Sequence, residues 1–403
     1  MNPWRALLRI AAGLLLYPLW LHPAAAAGEG GRNAAEDRDD AGKRGGEFAR
    51  SAADQRSAGE RHAADRRNGA FLSRRFLSDA VRGRALIDEF LPRAAGDLKT
   101  LLLVPNGGLL KSDGTLDHPS AGAIGFLERA AAFEKSSSAR LTLMPYINGY
   151  SPQNTGRPAD ARVDPGNPQV RAGIVAECLR YLSASVPGSY VRGSHRVFDG
   201  IVLDIEPAGD AGLVAVLKTL LMELRSALSA AGLERAKIGF AAPQLTDRVP
   251  RPDWGWSASD YHYMARHLDY VFAMTYDSST RTPAAYADWL ERQTGQILQA
   301  VSGANWRFDP AHPSPRHGVR VLIGLPAFYA VTRAHDPEFE NIATGGAALH
   351  VALARLAAAD PVSADYFLGA FIYAHDGGAA DSPYARYERD WRWWQEDWLH
   401  RLR

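Results

Sequence analysis

Short apolar stretches alternate with longer amphipathic stretches from about residue 100 to near the end of the chain. Short apolar runs predict buried strands, and stretches with apolar residues three and four apart predict helices. The predicted strands are Thr100–Val104, Arg140–Ile147, Val197–Glu206, Ala236–Ala242, Tyr270–Tyr276, Val319–Leu325 and Phe367–Ala374. This alternation is typical of an α/β protein with a parallel sheet covered by helices.

The seven predicted strands are one short of a (β/α)8 TIM barrel, which needs eight. The missing strand should precede Thr100, and Arg84–Phe90 is the candidate, although its pattern also fits a helix. An open doubly wound sheet is the alternative, but no glycine-rich phosphate loop follows any predicted strand. We therefore predict a single catalytic TIM-barrel domain over residues 70–403.

Two other segments precede the predicted barrel. Residues 1–27 combine basic residues, an apolar run from Ile10 to Leu21 and small residues ending at Ala27, which is the pattern of a cleavable signal peptide. The apolar run is short for a membrane span, although an uncleaved inner-membrane anchor is the alternative. Residues 28–69 have almost no large apolar side chains and predict a disordered linker. We expect a periplasmic or secreted protein with no stable membrane span after cleavage.

Charge balance and cysteine content narrow the expected partners and bonds of this chain. Lys and Arg number 46 against 45 Asp and Glu, so electrostatics indicate neither nucleic acid nor an anionic membrane surface. The single cysteine, Cys178, cannot form an intramolecular disulfide and lies in a helical pattern, so we expect a buried structural thiol. No motif implies a cofactor, and the oligomeric state cannot be deduced from the pattern.

The predicted strand Val197–Glu206 ends in two carboxylates that point the same way. Side chains alternate between the faces of a strand, so Val202, Asp204 and Glu206 share one face. Neighbouring carboxylates repel each other, which raises the pKa of one and makes it a candidate general acid near neutral pH. A solvated pair at a sheet edge is the alternative. Asp199 faces the other side, so we expect it to be a structural partner near the helices.

This strand resembles the signature of glycoside hydrolase family 18, the chitinase-like family, whose pattern is D-x-x-D-x-D-x-E. Asp199, Asp204 and Glu206 match three of the four acidic positions, and Val202 stands at the other. Later segments fit the family in order: an M-x-Y-D strand end at 274–277, a next strand at 321–326 and a last strand at 369–376. The resemblance covers roughly residues 70–400 and implies a TIM-barrel glycosidase.

The resemblance also implies roles for individual residues. In this family the 2-acetamido oxygen of the substrate attacks the anomeric carbon. Glu206 matches the acid that protonates the glycosidic oxygen and then activates water, and Asp204 matches the residue that orients the acetamido group. Tyr276 matches the phenol that bonds the acetamido oxygen. Asp277 would contact the sugar. Tyr373 would form the floor of the pocket, at a position where the family usually has Trp.

Val202 stands where the family has an aspartate. In the family that aspartate shares a proton with the residue at the position of Asp204. We expect a slower or differently pH-tuned enzyme, because the acid and the acetamido-orienting carboxylate are both retained.

Loops after the predicted strands carry further candidates for sugar binding. Aromatic faces stack on pyranose rings, and amides bond their hydroxyl groups. These candidates are Asn148, Tyr150, Gln244, Trp254, Trp256 and Tyr329. Trp254 and Trp256 could instead pack a loop onto the barrel rim, and His375 and Asp376 could be hydrogen-bonding residues there. The tryptophans at 391, 394 and 398 have helical spacing, which favours a docked last helix over a carbohydrate-binding patch.

Together these features predict an exported glycoside hydrolase that cleaves an N-acetylhexosamine-containing polysaccharide or oligosaccharide with retention. One alternative is a lectin-like barrel without catalysis, although such proteins typically lose the acid that Glu206 retains here. Another is a glycosidase for sugars without an acetamido group. A metal-dependent deacetylase is disfavoured because no two histidines stand three or four residues apart, and we predict no metal. Chitin fragments, peptidoglycan, an exported N-acetylglucosamine polymer and host N-glycans all remain possible substrates.

The signal-peptide pattern makes a prediction about the mature N-terminus. Cleavage after Ala27 would leave Gly28 as the first residue of the exported protein. N-terminal sequencing of protein recovered from outside the cytoplasm should therefore begin at Gly28. A sequence that still begins at Met1 would contradict cleavage.

Overall fold

The computed structural model describes residues 67–374 apart from gaps at 75–76, 78–85, 95–99, 118–120, 138, 155, 187–188, 191–197, 210, 247–253, 304–317 and 328–330. Its strands are β1 (Asn68–Leu72), β2 (Thr100–Leu109), β3 (Arg140–Leu143), β4 (Tyr146–Tyr150), β5 (Gly200–Glu206), β6 (Lys237–Ala242), β7 (Gln244–Leu245), β8 (Gly255–Trp256), β9 (Tyr270–Ala273), β10 (Arg320–Pro326) and β11 (Phe367–Ala374). The small pair β7 and β8 stands apart from the main sheet.

The main sheet closes on itself. Its strand order is β1-β11-β10-β9-β6-β5-β4-β2-β3, and β1 also pairs with β2. All of these pairings are parallel. Because β3 and β4 follow one another along β2, they fill one position of the ring, which leaves eight positions. The predicted (β/α)8 barrel is confirmed.

Helices follow the strands and cover the outside of the barrel. They span Leu91–Ala94, Ala121–Ser136, Pro168–Leu182, Ala211–Ala230, Ala258–Ala265, Pro283–Ser302, Ile342–Ala359 and Pro361–Ala364, with a π-helical turn at Leu86–Phe90 and a 3-10 turn at Ala159–Ala161. Asn167, Thr282 and Asn341 cap three of them by accepting from backbone N–H groups of the first turn. Such caps satisfy donors that the helix itself leaves free.

Two apolar layers hold the barrel together. The outer layer lies between strands and helices and contains Ile201, Leu203 and Ile205 of β5. The inner layer fills the barrel and contains Phe71, Leu102, Val104, Met144, Tyr146, Val202, Tyr270, Phe272, Leu322, Leu368 and Phe371. The predicted alternation along β5 is therefore confirmed, because Val202 points inward. Gly239 makes room for this packing, since a Cβ there would lie 2.7 Å from the Phe272 ring.

The eighth strand is not at Arg84–Phe90, as the pattern suggested. Residues 86–90 form a π-helical turn in which Leu86 and Ile87 are buried while Asp88 and Glu89 are exposed. The strand is β1, which begins at Asn68, two residues before the predicted start of the barrel. It escaped prediction because it is only five residues long and contains a glycine and an alanine in place of larger apolar residues.

Other strand boundaries shift for local reasons. The predicted strand Arg140–Ile147 is split into β3 and β4 at Pro145, which has no N–H for the ladder. β2 continues to Leu109 past an irregularity between Asn106 and Gly108. The regular part of β9 ends at Ala273, and residues 274–276 continue without strand pairing.

Helix Ile342–Ala359 is apolar enough by composition to cross a membrane, with a mean hydropathy of 1.4. Its buried residues include Ile342, Leu349 and Leu356, which belong to the outer apolar layer. Gly345 brings the helix close to Leu325 of β10. These contacts are those of a barrel helix.

Candidate active site

A cavity of about 560 Å3 opens where the strands of the barrel end. It is lined by Phe71, Asn148, Asp204, Glu206, Ala241, Pro243, Gln244, Trp254, Met274, Tyr276, Asp277, Ser279, Thr332, Ala334, Phe371 and Tyr373. The C-terminal face of the strands is where TIM-barrel enzymes place their active sites. The described part of the chain thus brings most of the predicted site residues into one pocket.

Asp204 lies in the floor of this pocket, with only 7% of its surface exposed. Its Oδ2 accepts a hydrogen bond from Asn148 Nδ2 at 3.0 Å, because β4 and β5 place the two residues opposite each other. Its Oδ1 is buried and has no hydrogen-bond partner among the described residues. Burial raises the pKa of Asp204 to about 6, although the Asn148 bond acts in the other direction. One oxygen is thus available to a donor from a bound molecule.

Glu206 stands two residues further along β5 on the same inward face and is partly exposed to the cavity. Burial, and then the charges of Asp204 and Asp277, raise the pKa of Glu206 well above its usual value. Two neighbouring carboxylates cannot both ionise freely. The raised pKa favours the protonated form of Glu206, which is the form that a general acid needs.

Val202 lies one layer below Asp204, within the inner apolar layer. The acidic partner that the family pattern would place there is replaced by an apolar side chain. Asn148 supplies a neutral hydrogen-bond donor to Asp204 instead. Asn148 was predicted to bind substrate; it lines the cavity, and its amide also holds the carboxylate.

Tyr276 and Tyr373 form the aromatic wall beside the carboxylates. Their rings are stacked, with centroids 6.3 Å apart and an angle of 14° between the planes. Burial, followed by the charge of Glu206, raises the pKa of Tyr276, and burial followed by the charge of Asp204 raises the pKa of Tyr373. Both phenols therefore stay protonated and can donate hydrogen bonds to a ligand.

Asp277 follows Tyr276 at the mouth of the pocket, as predicted. Its backbone is left-handed, with φ of 59°. Burial raises the pKa of Asp277, and the neighbouring His335 partly offsets this. Its backbone N–H donates to the buried carboxylate of Glu340 at 3.0 Å.

The remaining predicted sugar-binding residues divide into two groups. Gln244 and Trp254 line the cavity, and Trp254 is 46% exposed at its rim. Tyr150 pairs with Glu206 in the sheet, but its ring lies under the Arg157 guanidinium at 4.3 Å and is not part of the cavity lining.

Trp256 and Tyr329 complete the predicted set. Trp256 is completely buried between Phe240 and Tyr261, and its indole N–H donates to the carbonyl of Ala208. The prediction of a sugar-binding Trp256 is thereby corrected: its ring packs the β7–β8 segment onto the barrel and cannot reach a sugar. Tyr329, like His375, Asp376 and the tryptophans at 391–398, lies outside the described residues.

Two residues have the structural roles expected of them. Asp199 accepts a hydrogen bond from the backbone N–H of Leu143 at 2.8 Å, at the opposite end of β5 from the pocket. Cys178 is completely buried, and burial raises the pKa of its thiol. Neither belongs to the site.

Several pocket residues were not predicted. Phe71 and Phe371 reach the cavity from β1 and β11, and strand parity would have placed Phe371 beside Tyr373 on the inward face. Ser279, Thr332 and Ala334 come from loops without a recognisable motif. The buried residues His335 and Glu340 belong to the same loop as Thr332 and Ala334 and carry no local signal either.

The chain matches no protein-family model and no curated protein. The structure is similar, at low sequence identity, to several solved structures. The chitinase from Chromobacterium violaceum is 17% identical with a TM-score of 0.41, over 65% of this chain and 68% of that one. The Bacillus cereus spore cortex-lytic enzyme SleL is 15% identical with a TM-score of 0.40, over 65% of this chain and 51%, about half, of that one. A mutant GH18 chitinase from Cycas revoluta in complex with (GlcNAc)4 is 13% identical with a TM-score of 0.41, over 64% and 68%.

The Asn148–Asp204 bond predicts a pH effect. Asn148 lowers the pKa of Asp204, so Asn148→Ala should raise this pKa and move the acidic side of the pH–activity profile to higher pH. The loss of activity should therefore be larger at pH 5 than at pH 8. Gln244→Ala is the matched control, because Gln244 lines the same cavity without a described bond to Asp204. An acidic side that stays in place, or moves to lower pH, would count against this assignment.

Proposed function

We propose that this protein is a glycoside hydrolase that cleaves N-acetylhexosamine-containing glycans with retention, by substrate-assisted catalysis. The observation that carries the proposal is the unpaired Oδ1 of Asp204, which is buried in the pocket floor beside Glu206, a carboxyl whose pKa is raised by burial and by neighbouring charge. Leaving a buried oxygen without a partner costs about 1–3 kcal/mol. The N–H of a 2-acetamido group is a donor that would satisfy it.

The first step uses a protonated Glu206 and an ionised Asp204. Glu206 gives its proton to the glycosidic oxygen, and the acetamido carbonyl oxygen of the same sugar attacks the anomeric carbon as the glycosidic bond breaks. The product is a cyclic oxazolinium ion, whose N–H points at Asp204. The carboxylate of Asp204 stabilises the positive charge, and the Tyr276 phenol fixes the acetamido oxygen by a hydrogen bond.

The second step returns the proton. Glu206, now a carboxylate, takes a proton from a water molecule, and the water oxygen bonds to the anomeric carbon while the carbon–oxygen bond of the oxazolinium ring breaks. Glu206 recovers its acidic form and the acetamido group is restored. Two displacements at one carbon leave its configuration unchanged.

The walls of the pocket suit a sugar ring. Tyr276 and Tyr373 offer stacked aromatic faces, and Trp254 is exposed at the rim. Aromatic faces pack against the apolar faces of pyranose rings, while Gln244 and Asp277 can bond hydroxyl groups. We further propose that the protein acts outside the cytoplasm, on the basis of the signal-peptide pattern in residues 1–27.

A glycosidase for sugars without an acetamido group is the second candidate. Asp277 lines the same cavity and contributes to the raised pKa of Glu206, so a second carboxylate, from the loop after β9, lies near the acid. Such a pair would serve a two-carboxylate mechanism. Matched glycans with and without the acetamido group separate the two candidates, since only the substrate-assisted mechanism requires it.

Removing the acid tests the proposal. We expect Glu206→Gln to abolish release of reducing ends from N-acetylhexosamine glycans, because glutamine cannot donate the proton at this position. Val202→Ala is the control from the same strand face, and it should change turnover only modestly. Reducing-end release followed by mass spectrometry of the products is the measurement.

Two outcomes would contradict the proposal. Similar losses in Glu206→Gln and Val202→Ala would argue against Glu206 as the acid. Retention of oligosaccharides without cleavage by the unmodified protein would favour a lectin-like barrel.

A further inference from the structure

Glu340 is a completely buried carboxylate in the loop between β10 and helix Ile342–Ala359. Its Oε2 accepts from the backbone N–H of Asp277 at 3.0 Å, and its Oε1 accepts from the backbone N–H of Ser278 at 2.9 Å. The hydroxyl of Ser278 also donates to Oε1. The carboxylate of Glu340 thus fixes the two residues that directly follow Tyr276 by hydrogen bonds.

His335 holds this carboxylate from the other side. Its ring is completely buried, with Nδ1 3.0 Å from Oε2 of Glu340. Its own backbone is fixed to Thr332, which accepts from the His335 N–H at 2.9 Å through its hydroxyl oxygen. A buried carboxylate is tolerated only where hydrogen bonds compensate for lost hydration, and these groups provide them.

The segment 277–279, which Glu340 holds by hydrogen bonds, has an uncommon backbone conformation. Asp277 and Ser279 have φ of 59° and 60°, in the left-handed region. Few residues other than glycine, asparagine and aspartate adopt this region. Such residues persist where surrounding bonds determine the conformation, and they cluster at functional sites. The Ser279 N–H also donates to the carbonyl of Ala334, so the two loops are joined along the pocket wall.

A cluster of two carboxylates and an imidazole can also bind a metal cation. Asp277, His335 and Glu340 place possible ligand atoms within 4.8 Å of one another. Both oxygens of Glu340 are already engaged by backbone, hydroxyl and imidazole groups. A metal ion would have to displace these groups, so the geometry favours hydrogen bonding.

We propose that Glu340, held by His335, is a positioning residue for the glycosidase reaction. It acts through the left-handed turn at 277–279, which places the Tyr276 phenol and the Asp277 carboxylate at the pocket. This role rests on the proposed function, because it assigns a purpose to the Tyr276 and Asp277 positions. A displacement of about 1 Å in such groups can cost up to about a hundredfold in rate.

Glu340→Gln is the test, with Glu338→Gln as the matched control, since Glu338 is exposed in the same loop. The amide retains the size of the side chain but replaces one acceptor with a donor that faces a backbone N–H. We expect kcat to fall about tenfold or more with a smaller change in KM, at a temperature where both variants are folded. Glu338→Gln should match the unmodified protein.

A double-variant cycle separates positioning from a general loss of stability. If Glu340 acts through the turn, Asp277→Asn should cost much less in the Glu340→Gln background than alone. Gln244→Ala, at a cavity residue with no described bond to Glu340 or to residues 277–279, should cost the same in both backgrounds. Additive losses at Asp277, or a Glu340→Gln variant as active as Glu338→Gln, would overturn the positioning role while the glycosidase assignment stands.

Amide hydrogen exchange provides a readout that does not need activity. Glu340→Gln should speed exchange at Asp277 and Ser278, with the barrel strands as protected as before. If neither the unmodified protein nor any variant cleaves a glycan, the proposed function fails. Hydrogen exchange then remains the test of whether Glu340 fixes the turn at 277–279. Unchanged exchange at these two amides would overturn it.

Discussion

The burial of Asp204 is the constraint on which the rest of the site depends. A carboxylate in the floor of a barrel is costly unless hydrogen bonds replace the lost water. Asn148 compensates one oxygen, and the other is left for a ligand. The charge of Asp204 in turn contributes to the raised pKa of Glu206, so in the proposed mechanism one buried group supports both the stabilisation of charge and the acid.

The barrel makes this arrangement possible by separating packing from chemistry along each strand. In β5, Val202 fills the inner apolar layer while Asp204 and Glu206 extend above it into the pocket. The Val202 side chain lies close to Gly239 on β6, in a layer of aromatic rings. An acidic residue there would be buried among apolar groups, whereas the Asn148 amide reaches Asp204 from β4 at the level of the pocket. The neutral donor therefore suits this chain better than a second acid.

What the sequence predicts well is what depends on neighbours along the chain. Alternation along β5 correctly separates the inward carboxylates from Asp199, and apolar runs locate most strands. β1 was missed because it is short and has few large apolar residues, and its place in the sheet depends on pairing with β2 and β11, which are far away in sequence or beyond a gap in the strand pattern. Trp256 was misassigned because its burial depends on contacts with Phe240 of β6 and Tyr261 of the following helix, which the local pattern does not show. Glu340 left no signal because its partners, Asp277 and Ser278, lie more than sixty residues away.

The central claim is that the glycosidic bond is cleaved with retention, by two displacements at the anomeric carbon, with Asp204 and Glu206 assisting them. The anomeric configuration of the first product, followed by proton NMR immediately after cleavage of a β-linked N-acetylglucosamine oligosaccharide, tests this most directly. Two displacements at the anomeric carbon predict that the β-anomer appears first and then equilibrates. Initial appearance of the α-anomer would contradict the account, because it requires direct attack by water.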